Sequence, residues 1–249
     1  MLSNFSKNMK YLLLNWYFYI FLILIFLYLF WNTGIHSDDY VEIIKNKTLS
    51  EFFDIRGRHE LLYPGGYYLF WWAYYVLGFE NQILYDLIKC LTHLVSLYLI
   101  YLFARDYLNK NRAFLASIFF LFYPIHDSAN YMYMTIPYIL TPSLILYSHH
   151  LFRLNNLATG FVILIFASLL NYSSPAYIMG LSAIFFIEKK YKKGIIFFLP
   201  SILYVAYFFI VTTLYNKLQN RVSHDLDIAF FIKNLLIQIF SLIDTLIGP

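Results

Sequence analysis

Residues 11–31 read YLLLNWYFYIFLILIFLYLFW, a run without one charged side chain. A helix crosses a hydrocarbon core of about 30 Å with roughly 20 apolar residues, so this run predicts a membrane span. It follows Lys7 and Lys10, as a secretion signal would. It is longer than the apolar region of a signal, however, and ends at Leu29-Phe30-Trp31-Asn32, which offers no small-residue cleavage site. It reads as an uncleaved first span.

Similar runs follow at 83–104, 113–123 extending toward 134, 135–152, 157–171, 174–187, 194–214 and from 228 onward. The fold class expected is therefore all-α: a polytopic transmembrane helix bundle of about 7–8 spans, a single module over 1–249. Residues 157–187 can be drawn as one long tilted helix or as a hairpin broken at Asn171-Tyr172-Ser173-Ser174-Pro175. The hairpin is preferred, because Pro175 follows polar residues and a single helix would carry the next lysine cluster to the opposite side. The last run stops at Ile247-Gly248-Pro249, where an eighth span should finish, as expected of a chain incomplete at its C-terminus.

Composition agrees. The chain is 61% hydrophobic and 13% charged, against roughly 25% charge in a soluble domain. Its 25 Tyr and 26 Phe suit belts at the two membrane interfaces. One cysteine, Cys90, excludes an intrachain disulfide. With the N-terminus placed in the cytoplasm, short inner loops hold Lys7, Lys10, Arg105, Lys110, Arg112, Arg153 and the cluster Lys189-Lys190-Tyr191-Lys192-Lys193. Lys45, Lys47, Arg56, Arg58, Lys217 and Arg221 are spread over longer outer segments, the bias of the positive-inside rule. The net charge of +4 thus requires no nucleic-acid partner. A multi-pass protein of a bacterial plasma membrane is the expectation.

The interval 33–66 is the first outer loop. Asp38, Asp39, Glu42, Glu51, Asp54 and Glu60 fall here, 6 of the chain's 14 acidic residues. Asp39 with Glu42, and Thr48 with Glu51, have capping-box spacing. Val41, Ile43, Ile44, Leu49, Phe52 and Phe53 then suggest two short amphipathic helices lying on the membrane. Leu62-Tyr63-Pro64-Gly65-Gly66 breaks the chain, and the aromatic stretch from Tyr67 to Tyr75 is expected to dip back into the interface.

Ile35-His36-Ser37-Asp38-Asp39-Tyr40 just after a first span, followed by Arg58 and Tyr63-Pro64-Gly65-Gly66-Tyr67-Tyr68, resembles the GT-C superfamily of membrane glycosyltransferases. The motifs cover about the first 105 residues; beyond them the likeness rests on span count. The resemblance implies an inverting transfer of a sugar from a polyprenyl-phosphate donor, in the manner of dolichyl-phosphate-mannose-dependent protein mannosyltransferases. The acceptor would be a lipid, glycan or protein at the outer face. It implies Asp38 as catalytic base and Asp39 as its orienting partner. Consecutive residues at a helix start point in different directions, so if Asp39 caps the helix, Asp38 is free to face a substrate.

The chemistry needs a base for the acceptor hydroxyl and positive charge, or a divalent metal, for the leaving phosphate. Candidates to bind substrate are Arg56, Arg58 and His59 in the loop, with Lys89 and His93 in the second span. Asp86, Lys89 and His93 share one helix face, where ionisable groups serve a cavity or one another; a simple Asp86–Lys89 pair is the competing reading. His126 and Asp127 are candidates for an acceptor or metal contact. His149 and His150 are expected at the inner interface, and Lys217, Arg221, His224, Asp225 and Asp227 form a polar outer segment. Walker, zinc-finger and Gly-x-Ser-x-Gly patterns are absent from the sequence, which argues against a primary pump. A carrier or flippase for lipid-linked sugars, and an envelope polysaccharide polymerase or ligase, are the alternative functions.

Overall fold

A computed structural model of the chain describes residues 20, 34–36, 38–45, 48–56, 58–121 and 132–215. The first and last expected spans, His126 with Asp127, and the polar segment from Lys217 to Asp227 lie outside the described residues. Within the described residues the structure is helical, without strands.

The loop segment opens with α1 (Asp38–Lys45) and α2 (Leu49–Phe53), then a 3-10 turn at His59–Leu62. The box at α2 forms as expected: Glu51 N donates to Thr48 Oγ1 at 3.3 Å and Thr48 N donates to Glu51 Oε2 at 3.1 Å, worth about 1 kcal/mol. The box expected at Asp39 does not form, because α1 begins one residue earlier, at Asp38.

The aromatic stretch after Pro64 is helical, with one face buried in the protein and the other exposed. Pro64–Gly66, a π turn at Tyr67–Trp71 and Trp72–Leu77 run on from one another as one helical element, α3 (64–77). Tyr67, Phe70, Trp71 and Tyr74 are buried, packed with Ile35, Phe52, Tyr85 and Tyr133. A belt aromatic and a core aromatic look alike in sequence. Gly66 lets α3 approach the bundle closely, since a Cβ there would lie 2.4 Å from Leu170 O.

The bundle itself is α4 (Gln82–Ala104), α5 (Lys110–Leu121), α6 (Ile136–Arg153), α7 (Leu157–Leu170), α8 (Ser174–Ile187) and α9 (Tyr191–Leu214). Only α4 and α9 are long and apolar enough to cross a membrane, among the described residues. At 1.5 Å per residue they extend about 34 and 36 Å. The helices α7 and α8 are apolar but of 14 residues each. They are two separate helices, parted at Asn171–Ser173, as the hairpin reading expects; Pro175 sits in the first turn of α8, where its missing N–H costs nothing.

The bundle has two chemically distinct ends. At one, Arg153 bonds Glu188 at 2.6 Å, Lys190 bonds Glu188 at 2.6 Å and His150 meets Asp106 at 2.9 Å. Lys193 Nζ also donates to Phe152 O at 2.7 Å. The hydrogen bond of Lys190, then that of Arg153, holds the Glu188 carboxyl below the usual glutamate range. His149, expected at the interface, is instead fully buried: its ring stacks on Phe185 at 4.3 Å and meets Phe103 and Phe197 edge-on. Neighbouring residues on a helix face different ways, so His150 takes the ion pair and His149 the core.

At the other end lies the segment from Gly34 to Gly66. Tyr204 donates to Leu62 O, and Tyr207 OH donates to Leu61 O at 2.5 Å, tying α9 to the 3-10 turn.

Candidate functional site

The polar face of α4 holds the start of the loop. Gln82 Oε1 accepts from Ile35 N at 2.8 Å, and Lys89 Nζ donates to Gly34 O at 2.6 Å. Gly34 has φ +45°, and a Cβ there would lie 1.9 Å from Gln82 Oε1, so only glycine fits. Lys89 is fully buried and pairs with Asp86 at 2.8 Å; His93 Nδ1 lies 2.7 Å from Lys89 O. These in-span groups therefore serve one another and the loop, and neither Lys89 nor His93 lines the cavity described below. The charge of a buried lysine must be matched nearby, and here Asp86 and a backbone carbonyl match it.

The two adjacent aspartates take opposite roles in the structure. Asp39 is fully buried. Its Oδ2 accepts from His36 N at 2.9 Å and Tyr133 N at 2.8 Å. Its Oδ1 accepts from Met134 N at 2.9 Å and from the Tyr74 hydroxyl. A carboxylate is an acceptor-only group with two oxygens, and four donors fill it. Asp39 thus knots the loop, α3 and the 3-10 turn Tyr133–Thr135 that leads into α6. Its carboxylate turns back to His36 N and reaches across the fold, rather than forming the expected box with Glu42.

Asp38 is exposed and lines a cavity of about 310 Å³. Its other walls come from His59 and Tyr63, from Trp71 on α3, from Met132, Met134, Thr135, Pro137 and Tyr138 at the start of α6, and from Leu170, Asn171 and Tyr172 at the α7–α8 break. Asp38 and Glu42 lie one turn apart on α1, and Glu42 is buried at 4% exposure. Next to His59, Glu60 is buried at 2% and accepts from Arg58 Nη2 at 2.8 Å, while His59 Nδ1 lies 3.2 Å from its other oxygen. Burial, then the charges of Glu60 and Glu42, push the Tyr63 phenol up.

Of the basic residues expected at the site, His59 alone lines this cavity, among the described residues. Arg58 is held by Glu60, donates to Glu51 O at 3.1 Å and lies over the Tyr67 ring at 5.6 Å. Arg56 is exposed and forms a local pair with Asp54 at 2.9 Å, whose hydrogen bond lowers the Asp54 pKa. No group of three or more His, Cys, Asp or Glu able to hold a metal is assembled among the described residues.

The residues that sequence reasoning passed over are aromatic and amide side chains: Trp71, Tyr138, Asn171 and Tyr172 on the cavity wall, with Tyr74 and Tyr133 behind Asp39. Only Asn171, polar at the break between two apolar runs, carried a signal in the sequence. Tyr138 and Tyr172 join at the rim through their hydroxyls, 2.8 Å apart, with ring planes at 89°.

The arrangement can place one unbonded carboxylate and one imidazole against a substrate in an aromatic recess. Comparison with protein-family models, with curated proteins and with solved structures finds no match to this chain.

Proposed function

We propose that this chain is a GT-C-type glycosyltransferase of the membrane, moving a sugar from a polyprenyl-phosphate donor to a lipid, glycan or protein hydroxyl. The observation that carries this reading is the division of labour at Asp38-Asp39: one carboxylate locked by four donors, its neighbour open to a cavity. Asp38 takes the proton of the acceptor hydroxyl, the oxygen forms the new bond to the anomeric carbon, and the carbon–oxygen bond to the phosphate breaks. The electron pair leaves with the polyprenyl phosphate, and attack opposite the leaving group inverts the anomeric centre. Asp39 fixes the start of α1 and hence the position of Asp38.

In this reading the full chain has seven to eight spans with its N-terminus in the cytoplasm of a bacterial cell, and the cavity opens at the outer interface. The donor phosphate lies outside the described cavity, because Arg58 and Lys89 are engaged elsewhere. The alternative carrier reading drew on Asp86, Lys89 and His93, which here contact one another and the loop start. The test is sugar transfer from a polyprenyl-phosphate sugar by membranes carrying Asp38→Asn. Activity at least about 100-fold lower in correctly inserted protein is expected of a lost general base; unchanged activity overturns the assignment.

A further inference from the structure

The charge and composition of the cavity narrow what it can hold. No Lys or Arg is among its described lining residues, and residues 122–131, which lead in sequence to Met132, contain none either. His59 Nδ1 lies 3.2 Å from Glu60 Oε2. No hydrogen bond or ion pair engages the Asp38 carboxylate among the described residues. Two further carboxylates are buried on neighbouring turns of chain: Glu42, one turn from Asp38 on α1, and Glu60, in the 3-10 turn that carries His59. An anion brought here would meet the Asp38 carboxylate, while the Arg58 guanidinium is already committed to Glu60.

The remaining wall is π-rich. The rings run in contact from His59 to Tyr63 at 5.8 Å, from Tyr63 to Trp71 at 6.0 Å and to Tyr172 at 6.3 Å, and from Tyr172 to Tyr138 at 6.2 Å. Aromatic faces carry partial negative charge and attract ammonium groups within about 6 Å. Tyr138 and Tyr172 are the rings still open to solvent.

We propose that this cavity binds a positively charged ammonium group, held between the Asp38 carboxylate and the Tyr138 and Tyr172 rings. This rests on the reading of the cavity as the acceptor site, and names the acceptor as amine-bearing. The ammonium belongs either to an amino sugar or to an ethanolamine-type lipid headgroup. Both present the same ammonium group; an amino sugar also brings its own hydroxyl, whereas the headgroup oxygen is esterified to phosphate, so the accepting hydroxyl must sit elsewhere on that lipid.

The test uses the purified full chain in detergent, with saturation-transfer NMR reading the protons of small probes. Tetramethylammonium and glucosamine are the cationic probes and glycerophosphoethanolamine the zwitterionic ammonium probe; glucose and glucose 1-phosphate are the neutral and anionic ones. The ammonium probes should receive saturation and compete with one another, while glucose and glucose 1-phosphate should not displace tetramethylammonium. Removing one partner should weaken tetramethylammonium about tenfold in Tyr172→Ala and in Asp38→Asn. Tyr172 lies in an exposed turn and Asp38→Asn conserves shape, so both variants keep the fold. Tighter binding of glucosamine than of glycerophosphoethanolamine assigns the ammonium to a sugar, and the reverse order assigns it to a headgroup. Equal binding of glucose, or cation binding untouched by either substitution, overturns the proposal. Absent cation binding with intact Asp38-dependent transfer defeats this inference alone. Cation binding without any transfer defeats the glycosyltransferase reading instead.

Discussion

Asp38 and Asp39 are chemically identical and adjacent, yet the fold asks opposite things of them. The environment decides: four donors converge on one carboxylate and none on the other. Stability measurements should separate them as sharply as activity does. Asp39→Ala leaves Tyr133 N and the Tyr74 hydroxyl buried without acceptors, and Met134 N and His36 N partly so. A buried group left unsatisfied costs about 1–3 kcal/mol, so a loss of at least about 3 kcal/mol is expected. Asp38→Asn alters an exposed side chain without a partner and should stay within about 0.5 kcal/mol of the parent. Thermal unfolding in detergent, followed by circular dichroism, reads both. Equal Tm values for the two variants would remove Asp39 from the role of structural knot.

At the scale of elements, much of the helix layout was legible. Expected spans at 83–104, 135–152, 157–171, 174–187 and 194–214 fall within a few residues of α4, α6, α7, α8 and α9, because charged or proline-containing breaks bound each apolar run. The side of a helix a residue takes was less legible. Lys89 could have faced a substrate or Asp86, and spacing alone allows both; His149 and His150 differ only in which neighbour each one meets. For the aromatic run 67–75 the sequence could not separate the buried residues Tyr67, Phe70, Trp71 and Tyr74 from the exposed Tyr68, Trp72 and Tyr75, because core packing and an interface favour the same residue types. One element-level contact makes a pH prediction. The folded-state pKa of Glu188 is depressed by Lys190 and Arg153. Its contribution to stability is therefore complete above its unfolded value of about 4.5, and it is lost as pH falls through the lower folded value. Tm should accordingly drop on acidification below about pH 4.5, and Glu188→Gln should flatten that part of the profile. A Glu188→Gln profile that falls as steeply as the parent would show that the α6–α8–α9 end is not the acid-sensitive part.

For the whole molecule, the decisive matter is which end faces which compartment, since the chemistry proposed for the Gly34–Gly66 end requires a lipid-linked donor on that side. The described helices put the two ends apart along the length of α9: Lys193 meets Phe152 near its start, and Tyr204 and Tyr207 meet the loop further along. The orientation proposed rests on the positive-inside rule, with ten Lys and Arg expected on one side against six on the other. The single Cys90 is buried, so replacing it by serine gives a thiol-free background. In that background a cysteine at Phe53, an exposed residue of α2, should react with a membrane-impermeant maleimide in intact cells. A cysteine at Lys192, exposed at the charged end, should react only after the cells are opened. The reverse pattern would place the Asp38 cavity in the cytoplasm, where a soluble nucleotide-linked donor is the chemically simpler partner, and would overturn the lipid-donor reading. Labelling of both sites in intact cells would show that the two ends are not separated by a membrane.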